Sequence, residues 1–229
     1  MWRSPLIEKS WRTKIPAIDG RILDLSLGIY DGAPTYKGFA KCSLTRTHTL
    51  TSDSFNLSKL TINTHGTTHL DAPSHFLETG KTVDQLNLSK CIGPALMINL
   101  SHKGPKDPVE VADLEAYAKD ITPNSRVLMY FGWDKTYPEA RYFTDHPYLS
   151  LNAAKWFASK GVGLLGFDIP TPNLDDAVEI HQILLNAEIV LVEALAKLDQ
   201  LPPHGFLFMA VPLRILGCDG SPVRALAVA

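Results

Sequence analysis

Residues 22–27 (ILDLSL) and 57–62 (LSKLTI) alternate apolar and polar positions, the period-two pattern of a strand with one face buried. Four other segments are short continuous apolar runs: 93–100 (GPALMINL), 127–131, 162–169 (VGLLGFDI) and 189–193 (IVLVE). Runs of this length read as strands covered on both faces. Between them the period changes. Val109, Val111, Leu114, Tyr117 and Ala118 fall near a 3.6-residue repeat, which predicts a helix over 108–120. A second helix is predicted over 149–160, with Ser150 as N-cap and Gly161 just past its end. A short third helix is expected over 180–186. Residues 29–38 (IYDGAPTYKG) are turn-rich, punctuated by Gly32, Pro34 and Gly38. Residues 206–216 and 221–228 read as closing strands, paired antiparallel.

Helices alternating with buried strands imply βαβ-like units, while strand-rich ends imply mixed pairing. The expected fold class is therefore α/β: a single domain over 21–229, with a mixed sheet or partly closed barrel and flanking helices. Residues 1–20 are expected to form an N-terminal arm, with Trp2 and Trp11 as apolar anchors.

The composition narrows the function classes. Apolar residues make up 45% and charged residues 20% of the 229-residue chain, which excludes a disordered, collagen-like or coiled-coil protein. A net charge of −2 gives no electrostatic reason to bind nucleic acid or an anionic membrane. No apolar run reaches transmembrane length, and the charged N-terminal segment does not read as a signal peptide. Cys42, Cys91 and Cys218 are odd in number and far apart, so neither a disulfide framework nor a thiolate zinc site is expected. A reducing, cytoplasmic setting fits best.

The chemistry concentrates in residues 63–76 (NTHGTTHLDAPSHF). Three of the eight histidines, His65, His69 and His75, fall here with Asp71 among them. All four occupy odd positions, which extended chain turns towards one side. Gly66 and Pro73 argue against one regular strand, so a strand end running into a turn is expected. Imidazole and carboxylate suit zinc, manganese or iron, and an aspartate has two oxygens with which to bridge two ions. The spacing is not the helical HExxH of metalloproteases.

The run HGTTHLDAPSHF resembles the signature of the metal-dependent cyclase family of hydrolases, His-x-Gly-Thr-His-x-Asp-x-Pro-x-His. That family includes bacterial kynurenine formamidase (arylformamidase), isatin hydrolase and enzymes described as polyketide cyclases. His65, Thr68, His69, Asp71, Pro73 and His75 match the signature. Glycine stands one place early, as Gly66, and Thr67 takes its usual position. If that position needs a positive φ, Thr67 is strained. A second match is GFDIPTP at 166–172, then His181, then Glu193 twelve residues later. The ending FMAVPLRILGCDGSPVRALAV also resembles the family's C-terminal strands, so the resemblance spans roughly 22–228.

The resemblance implies a swivelling β/α/β fold and a divalent metal site of zinc or manganese with two ions per chain. His65, His69 and Asp71 would hold the first ion and His181 the second, with Asp71 and Glu193 bridging. His75 would be the general acid/base, the alternative being a further ligand. Such a site suits C–N hydrolysis, because a bound ion lowers the pKa of water to about 7 and a histidine can protonate the leaving nitrogen. The activity implied is arylformamidase-like hydrolysis of a small amide. An isatin hydrolase-like opening of a cyclic amide, or a polyketide-type cyclisation, is the alternative. Tyr36 stands where bacterial kynurenine formamidases carry a tryptophan, and it and Trp133 are the candidate substrate contacts. The partners expected are a small-molecule substrate and further copies of the chain, in a homodimer or homotetramer.

Overall fold

The computed structural model describes residues 20–229. The arm expected over 1–20 lies outside them up to residue 19. Along the described chain run β1 (Ile22–Asp24), β2 (Ser43–His48), α1 (Leu50–Asp53), β3 (Leu57–Thr61), β4 (His69–Asp71) and β5 (Ile92–Asn99). Then come β6 (Pro108–Val109), α2 (Val111–Leu114), β7 (Arg126–Tyr130), α3 (Ala140–Thr144), β8 (Tyr148–Leu149) and α4 (Leu151–Ser159). The chain ends with β9 (Leu164–Phe167), α5 (Ala177–Asn186), β10 (Val190–Glu193), β11 (His204–Met209), β12 (Gly220–Pro222) and β13 (Leu226–Val228).

Nine strands form one mixed sheet in the order β1-β13-β11-β5-β7-β9-β10-β4-β12. Its centre, β5-β7-β9-β10, is parallel, and the flanking pairs are antiparallel. β7, β9 and β10 are continuous apolar runs of the sequence because both of their faces are covered, whereas β5, expected to be buried, alternates exposed and buried residues over its first half. On one face Val127, Met129, Leu165, Phe167 and Leu191 pack against Phe157 of α4 and Ile180 and Leu184 of α5. On the other, Leu128, Leu164, Val190 and Val192 meet Leu23 of β1, Leu70 of β4, Phe206 and Phe208. Each such fully buried side chain contributes about 1.5–3 kcal/mol.

β1 and β4 lie towards opposite ends of the sheet yet share that second cluster, so the sheet curls into a half-barrel. Backbone contacts cross the mouth: Ser26 bridges Leu195, and Leu27 N–H donates to Thr68 Oγ1 at 2.8 Å. The mixed, partly closed sheet expected from the sequence is the one observed. Ser150 caps α4, its Oγ accepting from Ala153 N–H at 3.2 Å, and Gly161 follows at φ +64°.

Three predicted elements differ. The helix expected over 108–120 is a single turn, α2, followed by a 3-10 turn at Glu115–Tyr117. Pro108 and Val109 instead pair with Tyr148 and Leu149, so the helix starts only after Glu110, whose backbone N–H donates to Asp113. The strand expected over 206–216 stops at Met209, ahead of Pro212, which has no N–H to offer a ladder. Residues 221–228 divide into β12, on one edge beside β4, and β13, between β1 and β11 at the other end of the sheet. β3 is the strand expected over 57–62, but neither of its faces is buried: it pairs with β2, which the sequence reading did not include, as a separate exposed hairpin.

Candidate active site

The site grows from the antiparallel joint between β4 and β10. Their register places Leu191 opposite Asp71 and Glu193 opposite His69. Strand alternation turns Leu70 and Val192 into the curled core and leaves His69, Asp71 and Glu193 on the helix-covered face. His181 joins them from α5, whose Ile180, Leu184 and Leu185 are buried against the same face. After β4 the chain makes a 3-10 turn, Pro73–His75, which returns His75 towards the cluster. His65 arrives from the turn before β4. That turn needs a left-handed residue, and it is Thr67, at φ +57°. β12 passes so close to His65 that a Cβ on Gly220 would lie 2.5 Å from His65 Cε1.

These residues interlock. His65 Nδ1 lies 2.7 Å from Asp71 Oδ1, and His65 Nε2 lies 2.7 Å from Asp219 Oδ2. Burial pulls the His65 pKa down, but the Asp71 and Asp219 carboxylates on its two nitrogens outweigh it and raise it. His69 Nε2 sits 3.4 Å from both Asp71 Oδ1 and Glu193 Oε2. His181 Nε2 is 3.4 Å from Glu193 Oε1 and 3.8 Å from Asp71 Oδ2. The His75 ring stacks on His65 at 3.7 Å, and His75 Nδ1 is 3.6 Å from Asp219 Oδ2. Asp71 is common to two sets of potential ligands, His65–Asp71–His75 and His69–Asp71–Glu193, each with its donor atoms within 4.8 Å of one another.

The donor chemistry fits a divalent ion. His69 Nδ1–H donates to the Thr67 carbonyl at 2.8 Å, and His181 Nδ1–H to the Ala177 carbonyl at 2.6 Å. Each therefore turns Nε2 towards the carboxylates, and such backbone partners are what hold a metal-binding histidine in place. Asp71 Oδ2 is buried with no hydrogen-bond partner among the described residues. Charges are held apart as a metal-free cluster requires. Burial pulls the His69 pKa down, but Asp71 and Glu193 outweigh it and push it up to about 10. Burial pushes Asp71 up, but His65 and His69 hold it well below the usual carboxylate range. His75 differs: burial, helped by His65 and His181, leaves it lowered despite Asp71 and Glu193.

A small pocket of ≈ 20 Å³ lies beside this cluster, lined by Leu27, Tyr36, His65, His69, Tyr142 and Phe143 among others. Tyr36 is thus where a substrate contact was expected. Trp133 is not brought there: it is 7% exposed within the helix-side core, and its Nε1–H donates to the Tyr142 carbonyl at 3.1 Å. Its turn is fixed from below by Asp168, which accepts from the N–H groups of Phe131, Gly132 and Trp133. Among the remaining histidines, His102 and His204 are exposed, His48 stacks on Phe55, and His146 is buried.

Two contributors were missed in the sequence. Asp219 lies 154 residues from His65, in a turn that offers no spacing signal. Tyr142 sits in a helix of five residues whose pattern reads as ordinary packing.

The sequence model of the Cyclase family matches residues 23–175. Kynurenine formamidase of Geobacillus thermodenitrificans (strain NG80-2) is 34% identical over 209 residues, 89% of this chain and 95% of that protein. This chain belongs to the cyclase family. A second relative, kynurenine formamidase of Erythrobacter litoralis (strain HTCC2594), is 29% identical over 95% of both chains. Among solved cyclase-like structures, an isatin hydrolase bound to thioisatinate superposes with a TM-score of 0.84 at 22% identity, over 91% of this chain and 92% of its own; that likeness is one of fold. A structure described as a potential metal-dependent hydrolase with cyclase activity gives 0.76 at 25% identity, over 90% and 96%. The cyclase-family relatives are thus matched along nearly their whole length.

Proposed function

We propose that this cyclase-family chain is a metal-dependent hydrolase that cleaves the C–N bond of a small aryl amide, in the manner of an arylformamidase. The observation that carries the reading is the buried Asp71 carboxylate, shared between two ligand sets with one oxygen unpartnered. The kynurenine formamidase relatives supply the substrate class. His65, His69, Asp71, His181 and Glu193 would hold zinc or manganese, two ions per chain, Asp71 and Glu193 serving both. Such ions supply Lewis acidity, activating water near neutral pH and polarising a carbonyl.

The rest falls to the protein's own groups. His75, neutral because its pKa is lowered, takes a proton from the attacking water and delivers it to the departing nitrogen, which leaves only once protonated. Tyr36 and Phe143 offer an aromatic wall for the aryl ring, their ring centroids 5.4 Å apart. The same reading places the enzyme in the cytoplasm, consistent with three free cysteines, and as a homodimer or homotetramer.

Elemental analysis combined with formanilide hydrolysis tests it. About two metals per chain are expected, falling in both Asp71→Ala and Glu193→Ala. His75→Ala should keep its metal and lose about two to four orders of magnitude in turnover. About one metal, indifferent to Glu193→Ala, with cyclic amides opened and formanilide untouched, would favour isatin hydrolase-like chemistry. Metal-free protein after incubation with either ion would refute the mechanism.

A further inference from the structure

The pocket walls carry a set of hydroxyls that neither the ligand cluster nor the proton transfers use. Tyr36, Tyr137 and Tyr142 line it beside His65 and His69, together with Thr35 and Thr67. The side-chain oxygens of all five are buried and without a hydrogen-bond partner among the described residues. Buried hydroxyls are ordinarily paired, so five unpaired ones around one pocket mark a surface built to meet something polar.

Tyr142 is the clearest case, at 1% exposure. Its ring is gripped edge-on by Tyr137 at 5.3 Å and Phe143 at 5.0 Å, and its carbonyl accepts the Trp133 indole N–H. Phe143 in turn meets Tyr36 edge-on. Packing thus fixes these rings, and their hydroxyls cannot swing away to other partners. Thr171 stands beside the Tyr36 hydroxyl, and Tyr30 beside that of Tyr137, without closing a hydrogen bond in either case. Burial raises both Tyr36 and Tyr142 well above the ordinary tyrosine value, and Glu193 adds to it for both. Each therefore stays protonated and can donate, and each lies within the field of the carboxylate cluster.

We propose that Tyr142 and Tyr36 donate hydrogen bonds to the carbonyl oxygen of the bound amide, steadying it as the carbon becomes tetrahedral. The hydroxyl protons stay on the tyrosines; the proton balance of the hydrolysis runs through His75. The inference rests on the amide-hydrolase reading above. It gives Tyr36 a task beyond its aromatic face and Tyr142 a catalytic one.

Tyr142→Phe and Tyr36→Phe remove the oxygen and little else. In metal-loaded full-length protein, each should lower kcat/KM for formanilide by about 10²-fold, chiefly in kcat, with metal content unchanged. Because each loses an unpaired buried hydroxyl, the melting temperature without ligand should hold or rise. Activity within about threefold of wild type would overturn the inference while leaving the hydrolase reading intact. A lowered melting temperature in Tyr142→Phe would also overturn it, by revealing a structural bond instead. Wild-type protein that opens no aryl amide would sink the hydrolase reading and this inference with it.

Discussion

Thr67 is the residue at which the sequence departs from its family signature, and the backbone there is left-handed, at φ +57°. A β-branched residue in that region is strained by about 1–2 kcal/mol. Its hydroxyl is also buried and unpaired. Both effects point the same way, so Thr67→Gly should raise the melting temperature of the metal-free protein by a few degrees, even after glycine's extra chain entropy. A fall in calorimetry would mean that Thr67 makes a compensating contact. The ligand-type residues were legible at this scale because four of them crowd into one segment, His65 to His75. Asp219 and Tyr142 were not, because only the folded chain carries them to the site. Trp133 was misleading for the opposite reason: an aromatic next to an apolar strand has no sequence mark that separates a core residue from a pocket wall.

Among the elements, the continuous apolar strands were legible because burial on both faces leaves an unbroken run. The 108–120 segment was not, because Val109 suits a strand pair as well as a helical stripe. β3 was legible as a strand from its alternation, but β2 and the hairpin pairing were not. The hairpin's strands are exposed nearly throughout, including Leu44, Leu57 and Leu60 at 42%, 49% and 47%. Leu44 and Leu60 are directly opposite each other. A two-stranded hairpin is marginal alone, and paired exposed leucines favour burial against a second copy of the chain. Sedimentation should therefore find more than one chain per particle at about 10 µM, and Leu44→Glu with Leu60→Glu should release monomers. A monomeric wild-type protein would remove the hairpin from any assembly.

For the whole molecule, the mixed and partly closed sheet was legible, since helix–strand alternation and strand-rich ends each left a pattern. The strand order was not, because β12 and β13 diverge to opposite ends across a three-residue gap that the sequence does not flag. The site also couples to the protonation of the whole. In metal-free protein His69 is raised from 6.5 to about 10 by Asp71 and Glu193, against burial. A raised histidine stabilises the fold fully below its unfolded value and loses that contribution as pH climbs through the folded one. Metal-free protein should thus weaken between pH 6.5 and about 10, while metal affinity climbs over the same window as His69 yields its proton. Adding zinc or manganese at pH 7 should release protons, measurable in a pH-stat. A silent titration would mean that His69 binds no metal.

The cluster takes its members from four places: the turn and strand at His65 to His75, then His181, Glu193 and finally Asp219. During synthesis the first half of that set leaves the ribosome long before the second. A nascent chain that has made β4 but not β10 carries His65, His69, Asp71 and His75 without Glu193 or Asp219, and its strand edge beside them is still open. On the proposed ligand set, metal loading belongs to the finished protein: a chain cut short before His181 would offer an ion three of the five groups, and one cut just before Glu193 would lack the carboxylate shared with His69 and His181.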